Sequence, residues 1–171
     1  NKRTPQLGRS NADVNWHLLK GYFNASVFLD ASTERAPPYT HELSLSSRVQ
    51  YAAHFRLIPH LTHVVGGFYT VRGYPEAVAT GDSGYLTQFE YRYHLVKRKQ
   101  NWGALFRTFV DAGRVINNRH LFFETNKTLI SAGVGFEAEF WDTLSLRCDI
   151  GRVMKHLRSF NGLAVGHTRL G

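Results

Sequence analysis

The chain has 171 residues, 43% of them hydrophobic and 20% charged, with a formal net charge of +8. That length suits one domain, and the absence of any run of eighteen apolar residues excludes a transmembrane helix. The single Cys148 excludes an internal disulfide, and the scatter of the basic residues, whose longest run is Lys97-Arg98-Lys99, argues against a nucleic-acid surface.

The dominant hydrophobic period is two, which is the period of a strand. The first predicted strand covers about 14–30, with Phe23, Ala25, Val27 and Leu29 opposed to Asn24, Ser26 and Asp30. The second covers 42–56, with Leu43, Leu45, Val49, Tyr51 and Phe55 opposed to Ser44, Ser46, Arg48 and Gln50. In the third, 84–96, Tyr85, Phe89, Tyr91, Tyr93 and Leu95 oppose Gln88, Glu90, Arg92 and His94. In the fourth, 102–115, Phe106, Thr108, Val110 and Ala112 oppose Arg107, Phe109, Asp111 and Gly113. In the fifth, 128–140, Ile130, Ala132, Val134, Phe136, Ala138 and Phe140 oppose Ser131, Gly133, Gly135, Glu137 and Glu139. In the sixth, 143–153, Leu144, Leu146, Cys148 and Ile150 oppose Ser145, Arg147, Asp149 and Gly151; a seventh is expected over 162–171. Residues 141–143 read as a hairpin turn, and no helix is expected.

The connections alternate in length. Those at 31–41, 97–101 and 141–142 are mostly short; those at 57–83, 116–127 and 154–161 are mostly longer, which is the pattern of an outer-membrane barrel with short periplasmic turns. Tyr and Trp residues fall on the apolar faces or at strand ends, as they do where hydrocarbon meets headgroups. A mean hydropathy of −0.30 fits such a barrel, whose alternating faces average out. Alternation alone does not separate inside from outside: a soluble ligand-binding β-barrel has the same period with its apolar face inward.

Two short motifs bear on function. Gly66-Gly67-Phe68-Tyr69-Thr70-Val71-Arg72-Gly73-Tyr74 puts an Arg in a turn-rich stretch, and about forty residues later Phe109-Val110-Asp111-Ala112-Gly113 puts an Asp on the polar face of a strand. Arg and carboxylate can pair in bidentate fashion between a loop and a wall, with Phe109 and Tyr74 packing beside the pair and Gly73 and Gly113 admitting close backbone approach. Read from the residues alone, the favoured arrangement is an exposed Arg72, with Asp111 paired to an Arg of a neighbouring strand. Arg92, Arg107, Glu137, Glu139, Arg147 and Asp149 fall on the polar face as an interleaved charge set, read as a cross-strand ladder rather than a carboxylate pair for hydrolysis. His60 and His63 lack companions at ligand spacing. Gly133-Val134-Gly135-Phe136 precedes no helix, and Ser83 and Ser131 lie outside any nucleophile-elbow context. No catalytic residue, metal ligand or cofactor site is therefore expected.

Val71-Arg72-Gly73-Tyr74 and Phe109-Val110-Asp111-Ala112-Gly113 resemble the V-R-G-[FY] and F-x-D-x-G signatures of the outer-membrane β-barrel transporter superfamily, over residues 43–171. The Gly81-Asp82-Ser83-Gly84 stretch is more similar to the two-partner secretion, or haemolysin secretion/activation, branch than to the assembly factors. The resemblance implies an all-β antiparallel transmembrane barrel of about sixteen strands, of which this chain supplies the last seven. It implies that Val71, Arg72, Gly73 and Tyr74 sit on a loop folded into the lumen, where Arg72 meets Asp111 on the wall carrying Phe109 and Gly113. The implied function is export of an unfolded exoprotein, of haemolysin or adhesin type, across the bacterial outer membrane, with the exoprotein and membrane lipid as partners and without nucleic acid, cofactor or enzymatic chemistry. An assembly factor of the same superfamily, or the barrel of a fused surface lipase, are the alternatives. The chain begins Asn1-Lys2-Arg3-Thr4 and ends Arg169-Leu170-Gly171, without an initiator Met or the terminal aromatic of the family. Residues 1–171 are therefore read as one C-terminal barrel segment, with periplasmic domains and the first strands upstream.

Overall fold

The computed structural model describes residues 9–30, 40–96, 102–119, 121, 124–140 and 143–155, and the backbone of 157–158, 164–165 and 169–170. The principal strands are β1 (Leu19–Phe28), β2 (His41–Tyr51), β3 (His63–Val65), β4 (Ala79–Gly81), β5 (Ser83–Val96), β6 (Trp102–Ile116), β7 (Lys127–Phe140) and β8 (Leu144–Val153). Three two-residue strands follow: β9 (Leu157–Arg158), β10 (Ala164–Val165) and β11 (Arg169–Leu170).

Seven strands form one antiparallel sheet in the order β1-β2-β5-β6-β7-β8-β11, consistent with part of a β-barrel wall, and the sheet is not closed. Register runs without interruption along β6 and β7, from Trp102 opposite Phe140 to Val115 opposite Lys127. A one-residue slip would exchange the two faces, and these faces differ so sharply that the slip is strongly disfavoured.

The two faces are inverted relative to a soluble β-sandwich. Along β6, Phe106 and Val110 are exposed while Arg107 and Asp111, each next in sequence, are 3% and 0% exposed. On β7 and β8, Val134, Phe136, Leu144, Leu146 and Ile150 are exposed, and Cys148 lies with them. Ser131 and Asp149 are buried. The charged face is therefore the covered one. That arrangement is the reverse of a soluble ligand-binding barrel, whose apolar face points inward.

The cover is the connection between β2 and β5. It was expected as a loop over 57–83; it contains a two-stranded ribbon, β3 paired with β4, preceded by a 3₁₀ turn at Pro59–Leu61. Val65, Val71, Tyr74 and Ala79 from this segment pack with Leu86, Val115, Leu129 and Val153 of the wall. A small apolar core thus lies between the ribbon and the wall, which hide it from solvent.

Three boundaries differ from the sequence reading. β1 begins at Leu19 rather than near residue 14, and β2 ends at Tyr51 rather than 56. In both cases the residues beyond the strand turn aside into contacts at one rim, such as the Asp13 N–H to Arg56 O bond of 2.8 Å. The expected last strand, 162–171, is divided: Ala164–Val165 pairs with Leu157–Arg158, and only Arg169–Leu170 joins β8. The expected hairpin turn at residues 141 and 142 and the basic run 97–99 lie outside the described residues.

An apolar outer band of this kind is expected to require lipid or detergent. A nitroxide at Val134 should be accessible to oxygen and shielded from a water-soluble relaxant, and one at Glu137 the reverse; inverted accessibilities would overturn the face assignment. Val134→Arg is expected to cost about 2–4 kcal/mol in a lipid-refolding titration.

Candidate functional site: an ion pair between the inward segment and the wall

The ribbon delivers Val71-Arg72-Gly73-Tyr74 to the wall through a tight turn. Gly67 N–H donates to Val71 O at 3.2 Å, Thr70 N–H to Gly67 O at 3.2 Å, and Glu76 Oε1 accepts the Phe68 N–H at 2.8 Å. Gly73 has φ +87°, a left-handed value that a side chain disfavours. A Cβ at Gly73 would stand 2.8 Å from Gly151 O, and one at Gly151 would stand 3.0 Å from Arg72 C and Gly73 N. Two glycines therefore let the segment lie directly on β8. Gly113, expected to admit the segment's backbone, faces the side chains of Val71 and Val65 instead.

Arg72 is 2% exposed, and its guanidinium is gripped along one edge by Asp111. Nε donates to Asp111 Oδ2 at 2.8 Å and Nη2 to Oδ1 at 2.7 Å, which is the bidentate fork. The Arg72 backbone N–H adds a third bond, 3.1 Å to Oδ2. The guanidinium carbon sits 3.5 Å above the centre of the Phe109 ring, so Phe109 supplies a floor with its π face toward the cation. Nη1 approaches Glu90 Oε1 at 2.7 Å and Asp149 Oδ2 at 3.6 Å, both ionic contacts off hydrogen-bond alignment.

The surrounding charges alternate in sign. Asp149 also meets Arg147, at 3.0 and 2.7 Å from Nε and Nη2, and Arg107 Nε at 3.2 Å. Arg107 Nη2 meets Glu137 Oε2 at 2.5 Å. Glu90 meets Arg92, which in turn reaches Glu42 Oε1 at 3.2 Å. Of the charge set marked in the sequence, five residues join this network around Arg72. Glu139 does not: it is exposed at the end of β7 and takes no part in the cluster.

Tyr74 was expected beside the ion pair. It reaches sideways instead: Ile130 N–H donates to its hydroxyl at 3.2 Å, and the hydroxyl in turn bonds Lys155 O. It thereby clips the segment to the edge of β7 and the end of β8. On the other flank Gln88 Nε2 donates to Thr70 O at 2.8 Å. Glu90, Gln88, Gly133, Gly135 and Gly151 were not singled out from sequence as site residues. A Cβ at Gly135 would stand 2.0 Å from Asp149 Oδ1, and one at Gly133 2.5 Å from Phe109 Cζ. Glycines on the polar face of two strands were the available signal, because a wall that only lines open water has no need of them.

A second buried charge network lies where β2 and β6 end and β5 begins. Asp82, wholly buried, accepts the Leu57 N–H and the Asn118 N–H at 2.7 Å each and Arg9 Nη1 at 2.5 Å. Glu124 bridges Arg56, at 2.5 and 2.8 Å, and Arg9 at 3.1 Å. Asp13 accepts the Arg56 N–H at 2.8 Å and pairs with Arg119. Burial alone would push the Glu124 carboxyl up, but hydrogen bonds from Arg56, the Leu121 N–H and Arg9 hold it at about 2.

Among the described residues no group of three or more His, Cys, Asp or Glu side chains is placed to hold a metal ion.

The charged face of the sheet is thus covered by a turn-tipped ribbon that is bound to the wall through Arg72 and Asp111. The family model described as haemolysin secretion/activation protein ShlB/FhaC/HecB matches residues 12–138, and the chain belongs to that family. No curated protein and no solved structure matches the chain.

Removing Arg72 leaves Asp111, Glu90 and Asp149 facing one another, whereas removing Asp111 leaves Arg72 two other carboxylates. Arg72→Ala is accordingly expected to destabilise by about 3–5 kcal/mol and Asp111→Ala by less, with the double variant close to Arg72→Ala in chemical unfolding. Additive losses would mean that the two do not interact. At the rim, Glu124 has a folded value near 2 against an ordinary 4.5. Its stabilising contribution is therefore complete above pH about 4.5 and lost as pH falls toward 2. The protection factor of the Leu121 amide, which bonds Glu124 Oε2 at 3.0 Å, should hold from neutrality to about pH 5 and fall below about pH 4.

Proposed function

We propose that this chain is the C-terminal wall of an outer-membrane β-barrel that exports an unfolded exoprotein of haemolysin or adhesin type, with residues 52–82 as an inward constriction. The observation that carries this reading is the inversion of the sheet: exposed aliphatic and aromatic side chains outside, and a charged, glycine-rich face inside on which a loop is docked by an ion pair. Strands β5 to β8 have 14, 15, 14 and 10 residues. Tilted strands of about 9–11 residues cross a bilayer. In this reading the 52–82 segment enters from the extracellular rim, and lipid contacts the outer band. Periplasmic domains and the remaining strands precede this segment in the protein.

Membership of the haemolysin secretion/activation family favours a two-partner secretion transporter over an assembly factor or a lipase barrel. Export of an unfolded chain through a pore needs a lumen that can be closed and opened. The tip of the inward segment is a suitable closing element because its one strong hold is electrostatic and reversible.

The test is secretion by cells that make the intact transporter together with its own exoprotein. Arg72→Ala is expected to lower exoprotein in the medium several-fold while the barrel still inserts, as read by heat-modifiable mobility. Equal secretion with and without the transporter would refute the reading.

A further inference from the structure

The motif Gly81-Asp82-Ser83-Gly84 has its own structural account, separate from that of the Arg72 site. Gly81 and Gly84 pack against the backbone of β6: a Cβ at Gly81 would stand 2.9 Å from Ile116 N and O, and one at Gly84 2.4 Å from Arg114 O. Ser83 Oγ accepts the Ala52 N–H at 3.0 Å. Asp82 binds Leu57, so a residue at the exit of the 52–82 segment holds a residue at its entrance. Two further side chains repeat that connection. Arg9 Nη1 donates to Leu57 O at 3.1 Å, and Gln50 Nε2 donates to both Leu61 O at 2.8 Å and Asp82 O at 3.0 Å. Arg9 also reaches Glu124 and, through Nη2, Asn117 Oδ1 at 2.7 Å.

We propose that Asp82 is a positioning residue: with Arg9 and Glu124 it forms a clasp at the root of the inward segment, and this clasp sets the reach and direction with which Arg72 meets Asp111. The segment is thus held by two carboxylates, one at its tip and one at its root. The root carboxylate collects donors from three separate stretches of chain, around residues 9, 57 and 118. Displacement of either neighbouring stretch is transmitted to the root through Asp82. A buried carboxylate with these donors does not yield gradually, because each lost partner leaves a charge desolvated. The clasp therefore behaves as a unit, closed or open. It stands on rim geometry and does not require that the protein transports anything.

Trypsin reads the docking of the tip directly. The bond after Arg72 is protected while Arg72 is buried, and its cleavage tracks the population of the undocked form. In the full-length protein in detergent, Asp82→Asn is expected to speed cleavage after Arg72 at least about tenfold, with no new cleavage after Arg107 or Arg114 in β6. In an Asp111→Ala background, where the fork that the clasp aligns is already gone, Asp82→Asn should add less than about twofold. A folded Asp82→Asn barrel with wild-type cleavage at Arg72, or full additivity with Asp111→Ala, overturns the proposal. Should Asp82→Asn fail to fold, Arg9→Gln is read in the same way. Failure of both to give a heat-modifiable barrel also overturns it, since Asp82 would then serve the wall and not the segment. A wild type that secretes nothing would count against the transport reading alone.

Discussion

One guanidinium organises the interior of this protein. Arg72 is the only cation that the inward segment places against Asp111, Glu90 and Asp149 together. Without it three carboxylates would share one desolvated site, which like-charge repulsion forbids. With it, each carboxylate has a cation, and the outer arginines Arg92, Arg107 and Arg147 complete the balance. Such a cluster contributes little net stability against an apolar alternative, because desolvation offsets most of the Coulombic gain. What it does supply is position: a fork that matches one carboxylate at one distance, and a Phe109 face beneath it.

The glycines follow from that constraint. A segment whose charged tip must reach the wall has to bring its backbone within van der Waals contact of β8, and Gly73 and Gly151 make that approach possible. Gly135 leaves room for Asp149 to turn toward Arg72 and Arg107, and Gly133 leaves room for the Phe109 ring. The outer face obeys a different rule. There the wall exposes Val, Leu, Ile and Phe side chains, an arrangement that water opposes and hydrocarbon does not.

The rim network shows the same economy of charge at the segment's other end. Asp82, Asp13 and Glu124 each combine an arginine with one or two backbone N–H groups, so a single side chain satisfies irregular backbone that has no strand partner. Tip and root are therefore built alike, and the segment between them is held by a thin apolar core around Val65, Val71 and Tyr74.

Much of this was legible in the sequence. Strands β5 to β8 are long and strictly alternating, so their limits fall within a residue or two of the sequence reading, and the two motifs mark Arg72, Asp111 and Phe109. The alternation also sorted residues onto two faces, because Cβ direction in a strand depends only on parity. It did not determine which face is covered, since a period of two is the same for a barrel in lipid and a barrel in water; burial of Arg107 and Asp149 beneath a distant segment decided that. Nor did it reveal β3 and β4, whose three-residue strands are too short to show a period. The ends of β1 and β2 and the partners of Asp82 were equally hidden, because the bonds that fix them join residues 25 to 106 positions apart. Glu139 illustrates the limit: parity put it on the charged face, but only the three-dimensional path of the segment, which passes over Asp149 and stops short of Glu139, decided which of those charges would be buried and paired.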